Sequence, residues 1–245
     1  MKEHINNLPF IKDFKKDCKP LIVACIPAYN EEYTIGGIVD QALKHTDLVL
    51  VCDDGSSDLT GVIAEKLGAV VIRHKRKLGY GVALKTLFTA TNRLGADIVV
   101  TLDGDGQHDP HDIPRLVTAL KASDVDIVIG SRFLSNNSDT PKWRKLGIWL
   151  ITKLVNFQIK LTDAQSGYRA YNKRALESFV LTKHGMSAST EILLKAGENK
   201  LKVFEIPIKI SYDKRPSSHN PVVQGTEIVL STMEYYLMKA LRFFS

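Results

Sequence analysis

The chain has 245 residues, of which 44% are hydrophobic and 24% are charged, and it contains three cysteines. This composition indicates a globular protein with a sizeable core and no low-complexity tract or repeat, and three cysteines do not favour a disulfide framework. Residues 1–20 are polar and lysine-dotted, unlike a secretory signal, and no uncharged apolar run reaches the roughly 18 residues of a membrane-spanning helix. The odd number of cysteines predicts a reduced, cytoplasmic environment.

Strands alternate with helices through the first half of the chain. Short apolar runs predict buried strands at residues 21–26, 47–52, 69–73, 97–102 and 126–130. Periodic segments predict helices at residues 34–45 and 112–121, and two more that end near Leu67 and Arg93. This alternation predicts an α/β fold with a mostly parallel sheet flanked by helices, whose ligands bind at the carboxyl ends of the strands.

The second half of the chain has a different pattern. Residues 143–161 predict a helix with a wide apolar face, residues 203–210 a strand, and residues 227–244 a final helix that mixes aromatic and basic side chains. Such amphipathic helices suit a lipid interface, although core packing or oligomer contacts would produce the same pattern.

Positive charge is concentrated in this second half. The net charge is +6; residues 1–141 carry 16 Lys+Arg against 19 Asp+Glu, whereas residues 142–245 carry 17 against 8, a net charge of +9. This imbalance indicates an anionic partner such as a phosphate, a nucleic acid or an acidic lipid surface, although a solvated lysine face would look the same.

Two acids end the strand predicted at 97–102. If they lie on the strand, Asp103 and Asp105 project to the same side, and Gly104 and Gly106 let the backbone turn sharply next to a ligand. Oxygen ligands in this arrangement suit Mg²⁺ or Mn²⁺ holding a diphosphate. A solvated Asp-Gly turn is the alternative interpretation.

Acidic pairs also end the first and second predicted strands, at Glu31-Glu32 and Asp53-Asp54. So many carboxylates at one sheet edge would repel one another unless a cation or ligand groups accompany them. The sequence lacks the phosphate loop of the P-loop NTPases, and Gly79-x-Gly81 is too short and too late in the chain for a dinucleotide fingerprint.

Six motifs in order resemble those of a known enzyme family. PAYNEE at 27–32, DDGSSD at 53–58 and DGDGQH at 103–108 resemble the family 2 inverting glycosyltransferases with the Rossmann-like GT-A fold. GSR at 130–132, SGYR at 166–169 and EIPI at 205–208 resemble the branch of dolichyl-phosphate and other polyprenyl-phosphate sugar synthases. This resemblance implies an N-terminal extension (1–20), a GT-A catalytic domain (21–222) and a C-terminal amphipathic helix (223–245).

The resemblance also implies roles for individual residues. The nucleotide sugar would be bound by Pro27, Tyr29, Glu31, Asp53, Asp54, Lys77, Gly79, Asp103, Gly104 and Asp105. A divalent cation, Mg²⁺ or Mn²⁺, would be held by Asp103, Asp105 and Gln107, and the acceptor by Arg132, Arg144, Ser166 and Arg169. Asp105, Arg132 and Arg144 would be the catalytic residues. The sequence departs from the family after Arg144, where Gly147 and Ile148 replace an expected serine.

The implied activity is transfer of a hexosyl group, with inversion, from GDP-mannose, UDP-glucose or UDP-N-acetylglucosamine to dolichyl or another polyprenyl phosphate. An ionised phosphate acceptor needs no strong general base. The lysine-rich second half and its apolar helices then predict an enzyme peripheral to the inner, cytoplasmic face of a membrane.

Three alternatives stay open. A family 2 transferase for a polysaccharide, protein or soluble acceptor would need a base, for which Glu191 is the candidate. A sugar nucleotidyltransferase is disfavoured because the segment 27–30 lacks a glycine-rich, Arg-containing loop. Nucleic acid is not an expected partner, because aromatic residues are not interleaved with the lysines.

Overall fold

The structure, a computed structural model, describes residues 19–122, 124–134, 142–178, 180–210 and 221–244. Their centre is a seven-stranded sheet in the order β3-β2-β1-β4-β6-β5-β7. The strands are β1 (Ile22–Ala28), β2 (Leu48–Asp53), β3 (Val70–Arg73), β4 (Ile98–Thr101), β5 (Ile127–Ser131), β6 (Arg169–Asn172) and β7 (Val203–Pro207). All pairings are parallel except those of β6, which runs antiparallel to β4 and β5.

Helices pack on both faces of the sheet. They are α1 (Ile35–Leu43), α2 (Thr60–Lys66), α3 (Tyr80–Leu94), α4 (Ile113–Ala122), α5 (Lys142–Val155), α6 (Lys173–Ser178), α7 (Ser187–Glu198) and α8 (Pro221–Phe244). Successive β1 residues point to opposite faces, so Cys25 joins the core under α3 and α7 while Ile26 joins the core under α1 and α4. This two-sided burial explains why the sequence of β1 is continuously apolar.

The predicted α/β fold is confirmed, with differences at the ends of elements. Helix α5 ends at Val155, six residues before the predicted Leu161, because the Asn156 side chain accepts from Leu161 N–H (2.8 Å) and donates to its carbonyl (3.0 Å). Helix α8 begins at Pro221, not at Glu227. The short antiparallel strand β6 was not predicted, because its sequence, Arg-Ala-Tyr-Asn, forms no continuous apolar run.

One prediction about the acidic motif was wrong in its geometry. Strand β4 ends at Thr101, so Asp103 and Asp105 do not lie two residues apart on a strand. They lie in the loop that follows it, and their placement depends on the turn and its contacts. The prediction that the preceding strand is buried on both faces is confirmed, since all four β4 residues are buried.

Cys25 and Cys52 are buried, unpaired thiols, and burial raises the pKa of both above the ordinary value. Among the described helices, none combines the length and hydropathy required to span a bilayer. Most of the predicted extension 1–20 lies outside the described residues.

Candidate active site at the carboxyl edge of the sheet

The loops after β1 and β2 are hydrogen-bonded to each other. The Glu31 N–H donates to Thr60 Oγ1 (2.7 Å), the Ser57 N–H to Asn30 Oδ1 (2.9 Å), and the Asn30 N–H to Ser56 Oγ (3.0 Å). Asn30 adopts φ 56°, a left-handed conformation that asparagine tolerates. Tyr29, Glu31 and Asp54, three of the predicted nucleotide-binding residues, therefore lie on two loops that are hydrogen-bonded to each other. Tyr29 is half-buried there, and Pro27, within β1, is buried.

The two acids at the end of β2 are buried and have separate structural partners. Asp54 accepts hydrogen bonds from the N–H groups of Leu78 (2.9 Å) and Gly79 (2.7 Å), and its Oδ1 lies 2.6 Å from His74 Nδ1. Asp53 accepts from the Ser56 N–H at 2.9 Å. Asp54 therefore shapes the loop after β3, which carries the predicted diphosphate contacts.

The loop after β3 reaches back to the first strand. The Lys77 Nζ atom lies 3.9 Å from the centre of the Tyr29 ring, a cation–π distance. Gly79 has φ 104°, and a Cβ there would lie 2.6 Å from the His184 carbonyl oxygen, so both conformation and space require glycine. The structure thus brings together the nucleotide-binding residues predicted after β1, β2 and β3.

The acidic loop after β4 lies against the same group of residues. The Thr34 hydroxyl donates to the Gly104 carbonyl (2.7 Å), and a Cβ on Gly104 would lie 3.2 Å from Ala28 Cβ, so the loop contacts the end of β1 directly. Within the loop, the Gln107 N–H donates to Asp105 Oδ1 (2.9 Å), which closes the turn. Gln107 also lines a cavity of about 620 Å³ with Ile38 and Lys209.

The neutral ring of His108 supports this loop by a hydrogen bond to its backbone. Its Nδ1 accepts the Asp103 N–H at 3.1 Å, which requires that nitrogen to be unprotonated. Burial, together with the charge of Arg132, lowers the pKa of His108 to about 4, against the opposing effects of Asp105 and Asp163. Its ring packs 5.0 Å from that of Tyr168.

The Asp103 carboxylate lies between the Tyr80 hydroxyl and the backbone of Gly167. Tyr80 O–H donates to Oδ1 (3.3 Å), and a Cβ on Gly167 would lie 2.8 Å from both carboxylate oxygens. Burial raises the pKa of Asp103, against the opposing effects of the Tyr80 hydrogen bond and nearby arginines, while 29% of its side chain remains exposed. Burial and then Asp103 raise the pKa of Tyr80, so its hydroxyl keeps its proton.

The residues of this loop fit a divalent cation only in part. Two carboxylates and an amide offer the hard oxygen donors that Mg²⁺ and Mn²⁺ prefer. Within the described ranges, no group of three or more acidic, histidine or cysteine side chains could complete a metal site. This donor set suits a cation whose remaining ligands come from a diphosphate and water.

Arg132 is held by a carboxylate that the sequence did not single out. Its Nε and Nη2 donate to the two oxygens of Asp163 at 2.6 and 2.7 Å, and both side chains are buried. Glu205 in turn accepts the N–H groups of Asp163 (2.9 Å) and Thr162 (2.7 Å). Glu205 belongs to the EIPI motif, and membership of that motif was the only sequence signal that pointed to this group of residues.

The predicted acceptor residues Ser166 and Arg169 have structural contacts. The Arg169 guanidinium is fully buried and donates to the carbonyls of Ser166 (2.8 Å), Ser189 (2.9 Å) and Ala164 (3.0 Å). Ser166 Oγ accepts from the Tyr168 N–H at 3.3 Å. These contacts hold Gly167 against Asp103, and a direct contact with an acceptor stays a prediction. Arg144 lies in α5, but its side chain is outside the described part of the structure.

Glu191, the candidate base for other acceptors, is fully engaged. Its carboxylate accepts from the N–H groups of Thr182 and Lys183 (both 3.0 Å) and from the Thr182 hydroxyl, and it pairs with Lys195 (2.9 Å). Burial alone would raise the pKa of Glu191, but these hydrogen bonds outweigh it and the pKa is lowered.

Helices α5 and α8 contact each other, and each exposes large apolar side chains, which together we call the α5–α8 surface. Tyr236 O–H donates to the Leu154 carbonyl (2.7 Å), which joins the two helices. Among the described side chains, the exposed large apolar ones of the two helices are Leu146, Trp149, Leu150, Leu230, Met233, Leu237, Met238 and Leu241. Lys153 lies 5.6 Å from the Trp149 ring and Lys239 lies 5.9 Å from that of Tyr235.

Comparisons with known proteins agree with this geometry. The family described as glycosyl transferase family 2 matches residues 23–179. The chain is 33% identical to the UDP-N-acetylglucosamine–dolichyl-phosphate N-acetylglucosaminyltransferase of Methanococcus voltae, across 91% of this chain and 96% of that protein. It is 32% identical to the polyprenol monophosphomannose synthase of Mycolicibacterium smegmatis, across 75% and 74% of the two chains.

A solved structure shows the same fold. Glucosyl-3-phosphoglycerate synthase from Mycobacterium tuberculosis, in complex with Mn²⁺, UDP and phosphoglyceric acid, superposes with a TM-score of 0.70 at 21% identity, covering 87% of this chain and 77% of that chain. The predicted GT-A fold and the family resemblance are confirmed. The protein is therefore a glycosyltransferase that belongs to glycosyl transferase family 2.

Proposed function

We propose that the protein transfers a hexosyl group from a nucleotide sugar to a polyprenyl phosphate such as dolichyl phosphate, with inversion. The observation that carries the choice of acceptor is the engagement of Glu191. A hydroxyl acceptor requires a base to remove its proton, whereas a phosphate monoester is already ionised near neutral pH. With Glu191 held by four donors, the described residues favour the acceptor that needs no base.

The donor end of the reaction is assigned to the edge where the first four strands end. The base and ribose of the nucleotide would lie against Pro27, Tyr29 and Glu31, and the diphosphate would lie near Lys77 and the acidic loop. The name of the M. voltae relative supports UDP-N-acetylglucosamine as the first donor to test, ahead of UDP-glucose and GDP-mannose.

Asp103 and Asp105, with Gln107, would hold Mg²⁺ or Mn²⁺ on the donor diphosphate. When bound, the cation neutralises the charge that develops on the departing nucleoside diphosphate. The loop contributes a fixed geometry, because the Gln107 N–H bonds Asp105 and the Thr34 hydroxyl bonds Gly104. A preformed loop avoids reorganisation during the reaction.

Arginine side chains would place the acceptor phosphate for attack on the face of the sugar opposite the leaving group. Arg132 is oriented by Asp163 near Asp103 and His108, whose pKa values it affects. Arg144 is assigned the second phosphate contact on the resemblance alone. In-line displacement from the opposite face inverts the anomeric centre, and alignment of the two reactants accounts for much of the rate.

The lipid acceptor also requires access to a membrane. The α5–α8 surface combines exposed leucine, tryptophan and methionine side chains with lysines, as interfacial helices do. We infer that the enzyme docks through this surface on the cytoplasmic face of an anionic bilayer, peripherally, with α8 forming nearly all of the proposed C-terminal segment 223–245.

A labelled-donor assay tests the proposal. Purified enzyme with Mn²⁺, a short polyprenyl phosphate and radiolabelled UDP-N-acetylglucosamine, UDP-glucose or GDP-mannose should move label into the organic phase with one of the three donors. Asp105→Ala should lose at least about 100-fold of this activity. Label that moves only to water-soluble acceptors, or an unimpaired Asp105→Ala variant, would refute the acceptor or the metal assignment respectively.

A further inference from the structure

Tyr80 touches the acidic loop from an element that no motif of the family resemblance includes. It is the first residue of α3, and its hydroxyl donates to Asp103 Oδ1 at 3.3 Å. On the other side of the carboxylate lies Gly167, whose added Cβ would come within 2.8 Å of both carboxylate oxygens and 3.0 Å of the Tyr80 hydroxyl. The carboxylate therefore has a donor at one oxygen and backbone close to both.

The backbone that carries Tyr80 is fixed on both sides. Asp54 accepts the N–H groups of Leu78 and Gly79, immediately before it. Immediately after it, the Gly81 N–H donates to the His184 carbonyl at 2.8 Å, and a Cβ on Gly81 would overlap the Lys183 carbonyl. The backbone at Tyr80 thus cannot shift with the acidic loop without breaking one of these contacts.

We propose that Tyr80 is a positioning residue of the cation site, which fixes the orientation of the Asp103 carboxylate from the helix that follows the diphosphate loop. The inference rests on the proposed function, because it requires Asp103 to bind a cation with a nucleoside diphosphate. A hydrogen bond to a ligating carboxylate restricts its rotation, and loss of such a partner typically lowers metal affinity by about 10- to 100-fold.

The test is Mn²⁺ binding, followed through loss of the electron paramagnetic resonance signal of free Mn²⁺, in the presence of UDP or of GDP. Tyr80→Phe removes only the hydroxyl and should weaken Mn²⁺ binding at least about tenfold. Tyr236→Phe is the matched control, since it also removes a tyrosine hydrogen bond, of 2.7 Å, but at the junction of α5 and α8. Its Mn²⁺ affinity should equal that of the wild type.

Thermal unfolding and metal-free nucleotide binding separate a role at the cation site from a general loss of stability or of nucleotide affinity. The inference is supported if Tyr80→Phe loses Mn²⁺ affinity while its thermal unfolding midpoint falls no more than that of Tyr236→Phe. It is overturned if Tyr80→Phe binds Mn²⁺ as the wild type does, or if the metal-free affinity for nucleotide falls by the same factor. If the wild-type protein binds no Mn²⁺ with either nucleotide, the result refutes the divalent cation assigned to the site in the proposed function. Gly167→Ala, which crowds the same carboxylate, should repeat the Tyr80→Phe result.

Discussion

The guanidinium of Arg132 and the carboxylate of Asp163 form a two-point ion pair, with Nε–Oδ2 and Nη2–Oδ1 distances of 2.6 and 2.7 Å. The pair is buried, and the backbone N–H of Asp163 is held by Glu205 at 2.9 Å. A planar guanidinium bound at two points keeps one orientation. The residue proposed to contact a phosphate is therefore positioned by β7 through Glu205, although it follows β5.

Asp163→Asn should destabilise the protein by about 3 kcal/mol, because it leaves a buried guanidinium without its counter-charge. The free energy of unfolding from a urea titration measures this. Asp40→Asn, which breaks the exposed Lys44–Asp40 pair, is the control and should cost no more than about 0.5 kcal/mol. Equal, small losses in the two variants would show that the buried pair does not stabilise the fold.

Glu191→Gln should weaken the fold by about 1–3 kcal/mol and leave transfer activity largely intact, because the carboxylate accepts loop hydrogen bonds and is not proposed as a base. The folded-state pKa of Glu191 is depressed, so its contribution to stability is present above the unfolded pKa and lost as the pH falls through the folded value. The stability difference between wild type and variant should therefore be constant near neutral pH and shrink below pH 4.5.

The transfer activity of Glu191→Gln tests the statement that Glu191 is not a general base. Loss of a general base typically costs about 100-fold or more and removes the acidic limb of the pH–rate profile. If Glu191→Gln shows both effects while remaining folded, Glu191 is the base, and the acceptor is a hydroxyl group.

Gly81→Ala should destabilise the protein and reduce nucleotide binding, because the new methyl group would overlap the Lys183 carbonyl and lie 2.8 Å from Ala188 Cβ. Overpacking of this kind typically costs about 1–3 kcal/mol. Gly37→Ala is the matched control: it is also helical, nothing lies within 4 Å of its added Cβ, and the change should stabilise α1 by about 0.5–1 kcal/mol. Thermal unfolding of the two variants should shift in opposite directions.

Leu237→Glu should weaken sedimentation of the protein with anionic vesicles that contain polyprenyl phosphate. Leu237 is 63% exposed on the α5–α8 surface, and loss of one inserted leucine typically costs about 1.5–3 kcal/mol, or about 10- to 150-fold in binding. Val62→Glu, at a 39% exposed site on α2, adds the same charge away from this surface and should bind normally. Equal sedimentation of all three proteins would argue against the docking surface.

Parts of this site follow from local sequence. Apolar runs that end in Glu31, Asp53 or Asp103 predicted which residues meet at one edge, because parallel strands all place their carboxyl ends on the same side. The structure brings these loops together, as the contact between Gly104 and Ala28 demonstrates. Their metal and nucleotide roles stay predictions.

Other features could not be predicted from local pattern. Tyr80 and Asp163 look like an ordinary helix residue and an ordinary loop residue, because their partners are distant along the chain: Asp103 is 23 residues from Tyr80, and Arg132 is 31 from Asp163. Arg169 is a further example. Its motif suggested a contact with the acceptor, and only the structure shows that its buried guanidinium donates to three carbonyls. A direct contact with an acceptor stays a prediction.

The sequence by itself determined the α/β architecture, the edge of the sheet where the acidic motifs meet and the family, because apolar periodicity and short motifs are local properties. Tertiary structure alone decided that β6 runs antiparallel beside β4, which brings Gly167 against Asp103. It also decided which charged groups already have hydrogen-bond or ion-pair partners within the protein, as Glu191 and Asp163 do. Such pairings depend on distances between residues far apart in the chain, and sequence patterns do not record those distances.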